Sequence, residues 1–105
     1  MNKSTMFDVK IIKKRTELFG TKWIMLIIRE ILVHKVLRYG ELKKNLGTIS
    51  TKTLTEKLRL LEKEKIIKRK IYPEIPPKVE YSLTPKGKSI KTILESMKEW
   101  HDKWD

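Results

Sequence analysis

Hydrophobic positions recur at three- and four-residue spacing in five stretches of the chain, and between the fourth and fifth they shift toward alternation. The first stretch begins at Asp8, a residue suited to capping, and predicts a helix to about Phe19. Val9, Ile12 and Phe19, with Ile11 and Leu18, give it an apolar side; Lys10, Lys13, Lys14 and Arg15 give it a basic one. Residues before it, Met1 to Phe7, read as a frayed arm. Gly20 breaks the pattern and Thr21 is placed to cap the second helix, Lys22 to about His34. There Trp23, Ile24, Met25, Leu26, Ile27, Ile28, Ile31, Leu32 and Val33 leave almost no polar face, which predicts a buried or sandwiched central helix. Trp23 reads as a packing residue near its start.

Val36-Leu37-Arg38-Tyr39 is too short to assign alone and is compatible with a small strand. Gly40 to Leu46 predicts a short helix with Leu42 and Leu46 inward, and Gly47 is a stop. After the turn Thr48-Ile49, Ser50 is a good N-cap, because its hydroxyl accepts from an otherwise orphaned backbone N–H. Leu54, Leu58 and Leu61 define the inward face of the helix that follows. Lys52, Glu56, Arg59 and Lys63 then point outward, with Thr51 and Thr55 on one flank. Two helices, the first short, joined by a Gly-containing turn make a helix-turn-helix over about residues 40–64, with Ile49 plugging the angle.

Ile66 to Tyr72 has strand composition with imperfect alternation. Pro73-Glu74-Ile75-Pro76-Pro77-Lys78 cannot continue it, since three prolines remove donors and fix φ. Val79 to Leu83 alternates and reads as the return strand, so residues 66–83 form a wing. Thr84 and Pro85 then start a last helix to about Trp104. Ile90, Ile93, Leu94, Met97, Trp100 and Trp104 make a stripe along it. One small domain cannot easily cover that stripe and the apolar sides of the first two helices. A twofold partner solves this, with the first and last helices (about 8–19 and 85–104) packed across the axis through Ile12, Phe19, Ile90, Ile93, Leu94, Met97, Trp100 and Trp104. The competing reading folds the last helix back on its own domain. The expected fold class is mainly α with a small β-hairpin wing (α+β), one winged helix-turn-helix domain over residues 1–105.

Charge narrows the partner. The chain has 25 Lys+Arg against 13 Asp+Glu, a formal net charge of +12. That favours polyanions, nucleic acid first and anionic membrane second, although a lysine-rich solvated surface accounts for part of the excess. There is no cysteine, which excludes disulfides, thiolate metal sites and thiol redox sensing. The start has no apolar signal core and the longest apolar run is too short to span a bilayer, so the expected location is cytoplasmic. No catalytic constellation, cofactor motif or metal spacing is evident. His34 reads as a cation facing the helix dipole, and His101 with Asp102 and Asp105 as a mixed-charge chain end.

On the outward face of the motif, Thr51, Lys52, Thr55 and Arg59 are the expected contacts to double-stranded DNA. Arg takes guanine bidentately, Lys reaches guanine or phosphate, and Thr offers a hydroxyl and a methyl. In the wing Arg69, Lys70 and Lys78 are candidates for phosphate or minor-groove contact, and Arg38 and Lys43 for anchoring the backbone. For each, the bland reading is a solubilising charge. Glu80 and Tyr81 read as structural, tying the wing to the body.

Several of these segments together resemble the HxlR-type transcriptional regulators, within the broader MarR-like winged-helix group. They are Gly20-Thr21-Lys22-Trp23, Arg38-Tyr39-Gly40-Glu41-Leu42, Ile49 to Thr55, Leu58 to Glu62, and the most specific piece, Pro76-Pro77-Lys78-Val79-Glu80-Tyr81-Ser82-Leu83-Thr84. The resemblance covers about Phe19 to Ile90. It implies a dimeric cytoplasmic DNA-binding regulator whose recognition helix enters the major groove and whose wing reaches the backbone or minor groove. Two departures stand out. Members that sense oxidants or electrophiles use a cysteine in the first helix, and the matching region around Lys10-Ile11 has none. Lys65 stands where a glycine commonly ends the recognition helix, so either it is left-handed or the helix ends differently. The expected function is a sequence-specific regulator, a repressor, binding a palindromic operator as a homodimer. The alternatives are a non-specific chromatin- or RNA-binding winged helix and a protein-interaction wing domain. The operator, the sign of regulation and any small-molecule effector are not specified by the residues.

Overall fold

The computed structural model describes residues 7–105; the predicted N-terminal arm falls mostly outside them. Helix α1 is Val9–Phe19, α2 Lys22–His34, strand β1 Val36–Arg38, α3 Tyr39–Leu46, α4 Thr51–Lys63, β2 Ile67–Tyr72, β3 Lys78–Leu83, a short α5 Pro85–Lys88 and α6 Lys91–Trp104. The sheet order is β1-β3-β2, antiparallel throughout, with Leu37 opposite Tyr81 and Arg69 opposite Tyr81 from the other side. The undecided segment at Val36 is therefore a strand on the edge of the wing.

Local chemistry sets the element ends. Asp8 accepts from the backbone N–H of Lys10 at 2.8 Å and of Ile11 at 3.2 Å, and Ser50 accepts from Thr53 at 3.0 Å. Thr84 accepts from Gly87 at 3.1 Å while its own hydroxyl donates to the Lys65 carbonyl at 2.6 Å. Thr21 departs from expectation. It stands at the N-cap position of α2 but makes no capping bond, and its hydroxyl is buried without a partner. Gly47 closes α3 at φ 68°, a conformation it adopts without a Cβ penalty. Lys65 takes the first of its two options, at φ 58°. Its left-handed turn lets Ile66 N–H reach back to the Leu61 carbonyl at 2.9 Å and delivers Ile66 into the core.

The core is built by Ile24, Ile27, Ile28 and Ile31 of α2, Leu42 of α3, Ile49 in the turn, and Leu54, Leu58 and Leu61 of α4. Leu37, Ile67, Tyr81 and Leu83 close it from the inner face of the sheet. Helix α2 is central but not enclosed all round: Leu26 and Val33 are exposed, while Glu30 is buried at 8% exposure. The Glu30 carboxylate is satisfied by Arg29 at 3.0 Å and faces His34 at 3.7 Å. Periodicity alone could not show this, because a carboxylate one position from a core stripe reads as solvent-facing.

The last helix is two helices, not one. Gly87 packs so closely that an added Cβ would lie 2.1 Å from the Ile66 carbonyl oxygen. Just beyond it the hydrogen bonds tighten to i→i−3, Ile90 to Gly87 at 3.1 Å and Ile93 to Ile90 at 2.9 Å. That turns Ile90 into its own chain's core, at 5% exposure, so its expected place in an interface between copies is corrected. Helix α6 beyond it has no fully buried residue, only Leu94 half-buried against the core, and the molecule measures 56 × 30 × 24 Å. Gly87→Ala is expected to destabilise by about 1–3 kcal/mol through overpacking, seen as a lower urea midpoint at unchanged slope. An unchanged midpoint would mean the Ile66 backbone yields freely.

Candidate nucleic-acid interface

Helix α4 presents its N-terminal half to solvent. Thr51, Lys52, Glu56 and Arg59 are exposed, opposite the buried Leu54, Leu58 and Leu61, so the predicted outward face is outward. Thr55 is half-buried, and its hydroxyl lies 3.2 Å from that of Tyr39, which is also 3.2 Å from the Thr51 carbonyl. Tyr39, at the start of α3, thereby pins the first turn and a half of α4. Sequence reasoning missed this role, since a contact across a separation of 16 residues leaves no local signal.

Of the other candidates, Lys43 is half-buried and donates to the Ile49 carbonyl at 3.3 Å, bracing the turn of the motif. Arg38 is exposed just before α3, and its backbone N–H is held by the Glu41 carboxylate at 2.8 Å. Arg69 leans from β2 to Glu62 of α4 at 3.3 Å. This ion pair joins recognition helix to wing and was not anticipated. Arg59, Thr55 and Tyr39 share with Glu62, Arg69 and Tyr81 a small polar cavity between helix and sheet.

Alternation splits the wing into two faces. Ile67, Arg69, Tyr81 and Leu83 point inward, while Lys68, Lys70, Tyr72, Lys78, Glu80 and Ser82 share the outer face. The ammonium groups of Lys70 and Lys78 each sit 4.8 Å from the centroid of the Tyr72 ring. Lys78 also approaches Glu80 at 3.7 Å. Charge is thus held in place at the distal end of the wing. Ile75, in the proline loop, is fully exposed.

Burial pushes the Tyr81 phenol up from its ordinary value, opposed by the Arg69 guanidinium. A hydrogen bond with Tyr72 holds the Glu80 carboxyl below its ordinary value of 4.5; slight burial opposes this, and Lys78, Arg38 and Lys70 add to it. A depressed folded-state value means that Glu80 stabilises the wing above the ordinary carboxylate range and loses that contribution as pH falls through the folded value. Glu80→Gln is therefore expected to lower the thermal midpoint near neutrality and to match the parent in strong acid. A gap that persists unchanged in acid would assign the effect to packing.

The expected apolar surface between copies is also on view. Ile12, Ile93, Met97, Trp100 and Trp104 are exposed, and Phe19 and Leu94 are half-buried against the core. No group of three or more potential metal ligands occurs among the described residues, and no helix among them is long and apolar enough to cross a membrane.

Residues 18–105 match the HxlR-like helix-turn-helix family model. An HTH-type transcriptional regulator of Halalkalibacterium halodurans is 48% identical over 83 residues, 79% of this chain and 74% of that protein. The HTH-type transcriptional regulator YodB of Bacillus subtilis is 37% identical over 87 residues, 83% of this chain and 77% of YodB. The solved structure of reduced YodB is similar with a TM-score of 0.78 at 35% identity, covering 88% of this chain and 89% of that one. The redox regulator HypR, in its oxidised form, is similar with a TM-score of 0.75 at 33% identity, over 90% of this chain and 96% of that one.

Proposed function

The chain belongs to the HxlR-like helix-turn-helix family of transcriptional regulators, and from that premise we propose that it binds a palindromic duplex operator as a homodimer and represses transcription. The observation that carries the reading is the polar first half of α4, capped by Ser50, braced by Tyr39 and joined to a basic wing through Glu62–Arg69. Thr51, Lys52 and Arg59 enter the major groove and read base edges; Thr55 contributes mainly its methyl, its hydroxyl being shared with Tyr39. Lys70 and Lys78 contact phosphate or the minor groove, with Arg69 and Arg38 at the flanks. Lys43 serves the turn first and the DNA backbone second.

Support for the dimer comes from the exposed apolar side chains of α1 and α6. Packing Ile12 and Phe19 with Ile93, Leu94, Met97, Trp100 and Trp104 of a second copy removes them from water and makes residues 1–105 one winged-helix unit of a twofold pair. Two recognition helices about 34 Å apart then meet successive major-groove faces. Repression needs only occupancy of the duplex, which this surface supplies. Without cysteine, the chain has no thiol switch of its own, unlike any mechanism that needs one.

The test is selection of bound duplexes from a random pool, then competition of the winner against random DNA over a salt series. One palindromic winner is expected, with affinity falling on the order of 10³-fold or more between about 50 and about 200 mM salt. Lys78→Ala should weaken selected and random DNA alike and flatten the salt slope by about one. No preference for any duplex would favour the non-specific reading that the net charge of +12 also permits.

A further inference from the structure

One cavity belongs neither to the DNA face nor to the apolar stripes. It lies behind the base of the wing, where the C-terminal end of α2 meets the outer face of the sheet, with a volume of about 570 Å³. That is within the range of pockets that hold small organic ligands. Leu32 and Val36 supply its apolar surface, with Ile31 and Leu83 buried beneath them. Lys35, Lys68 and Lys88 line it from the end of α2, from β2 and from α5, and Ser82 of β3 lines it too.

The charge is one-sided. No carboxylate lines the cavity, and none of these three lysines has an acidic partner within ion-pair distance among the described residues. The nearest acid on this sheet face, Glu80, is occupied by Tyr72 and Lys78. The cavity is also distant from the distal end of the wing. Lys68 pairs with Ser82 near the base, four residues along β2 from Tyr72, or roughly 13 Å at about 3.3 Å per residue. Lys35, at φ 71°, is held by its backbone bond to Ile31 at 2.7 Å, which fixes where its side chain departs.

We propose that this cavity binds a small amphiphilic anion, a carboxylate on an apolar body the size of a medium-chain acyl or single aromatic group. The apolar body lies on Val36 and Leu32, and the carboxylate is taken by Lys35, Lys68, Lys88 and Ser82 through charge-assisted hydrogen bonds. An uncharged analogue loses those bonds, and a free inorganic anion loses the buried apolar contact. Such a ligand ties the base of the wing to the end of α2. The site does not depend on the DNA-binding reading.

The probes are octanoate, octanol, octylammonium and inorganic phosphate, titrated into the full chain while its backbone amide resonances are followed. Octanoate is expected to shift the amides of Lys35, Val36, Lys68, Ser82 and Lys88 saturably, and to bind at least tenfold more tightly than octanol or phosphate; octylammonium should leave them still. Lys68→Ala with Lys88→Ala should weaken octanoate tenfold or more, and Val36→Ser should weaken it while sparing the preference for the anion. Equal binding of octylammonium, shifts confined to Ile12, Phe19 and Ile93, or stronger movement of the same amides by random duplex DNA would each overturn the proposal, the last by making this a nucleic-acid surface.

Discussion

Trp100→Glu is expected to turn the proposed dimer into a monomer and to lower affinity for a palindromic operator by roughly 10²- to 10⁴-fold. The size follows from linkage of two weak contacts: once one recognition helix is bound, a joined partner reaches the second half-site at high effective concentration, and a separate monomer does not. Trp100 is 65% exposed and sits in a stripe with the exposed Met97 and Trp104, beyond Leu94, where α6 packs against its own core. The substitution therefore leaves the monomer's core intact, and circular dichroism and thermal midpoint should hardly change. In a dimer it would place carboxylates in an apolar seam, at a desolvation cost that a seam of this kind cannot offset. Solution mass gives the oligomeric state directly, and binding to a single half-site serves as the control, since it should move little. A variant that remains dimeric, or a monomer that binds the operator as the parent does, removes the clasp from the proposal.

The second large effect lies on the recognition helix. Arg59→Ala is expected to weaken the selected operator by about 1–3 kcal/mol, roughly fivefold to 150-fold, while random DNA loses much less. Arg59 is exposed one turn after Thr55, beside the cavity shared with Glu62 and Arg69. The Glu62 carboxylate is committed to Arg69 at 3.3 Å, which leaves the Arg59 guanidinium for an outside acceptor. Arg59→Lys should not restore the preference, because an ammonium cannot make the planar two-point contact. Equal losses on operator and random duplex would reduce Arg59 to a phosphate contact.

Much of the candidate interface was readable in the primary structure for local reasons. Leucines at 54, 58 and 61 fix which way α4 faces, so the outward placement of Lys52 and Arg59 follows from periodicity alone. Ser50, Asp8 and Thr84 cap the helices they were expected to cap, because a capping bond spans two or three residues. Thr21 is the same kind of residue at the same kind of position and makes no such bond; its hydroxyl is buried without a partner. Sequence spacing likewise placed Ile90 on the stripe of the last helix. The close contact of Gly87 with Ile66 breaks that helix and rotates Ile90 inward.

What the residues alone determined is what depends on near neighbours along the chain: helix faces, caps, the proline loop that ends β2, the excess of positive charge and the lack of any thiol. What only the tertiary structure decided is how distant segments share their polar groups. Tyr39 holds Thr51 and Thr55, Glu62 holds Arg69, Lys43 holds the turn at Ile49, and three lysines far apart in sequence line one cavity. A hydrogen bond or ion pair depends on separation in space over a few ångströms, whereas periodicity reports only the direction in which each side chain leaves its own element.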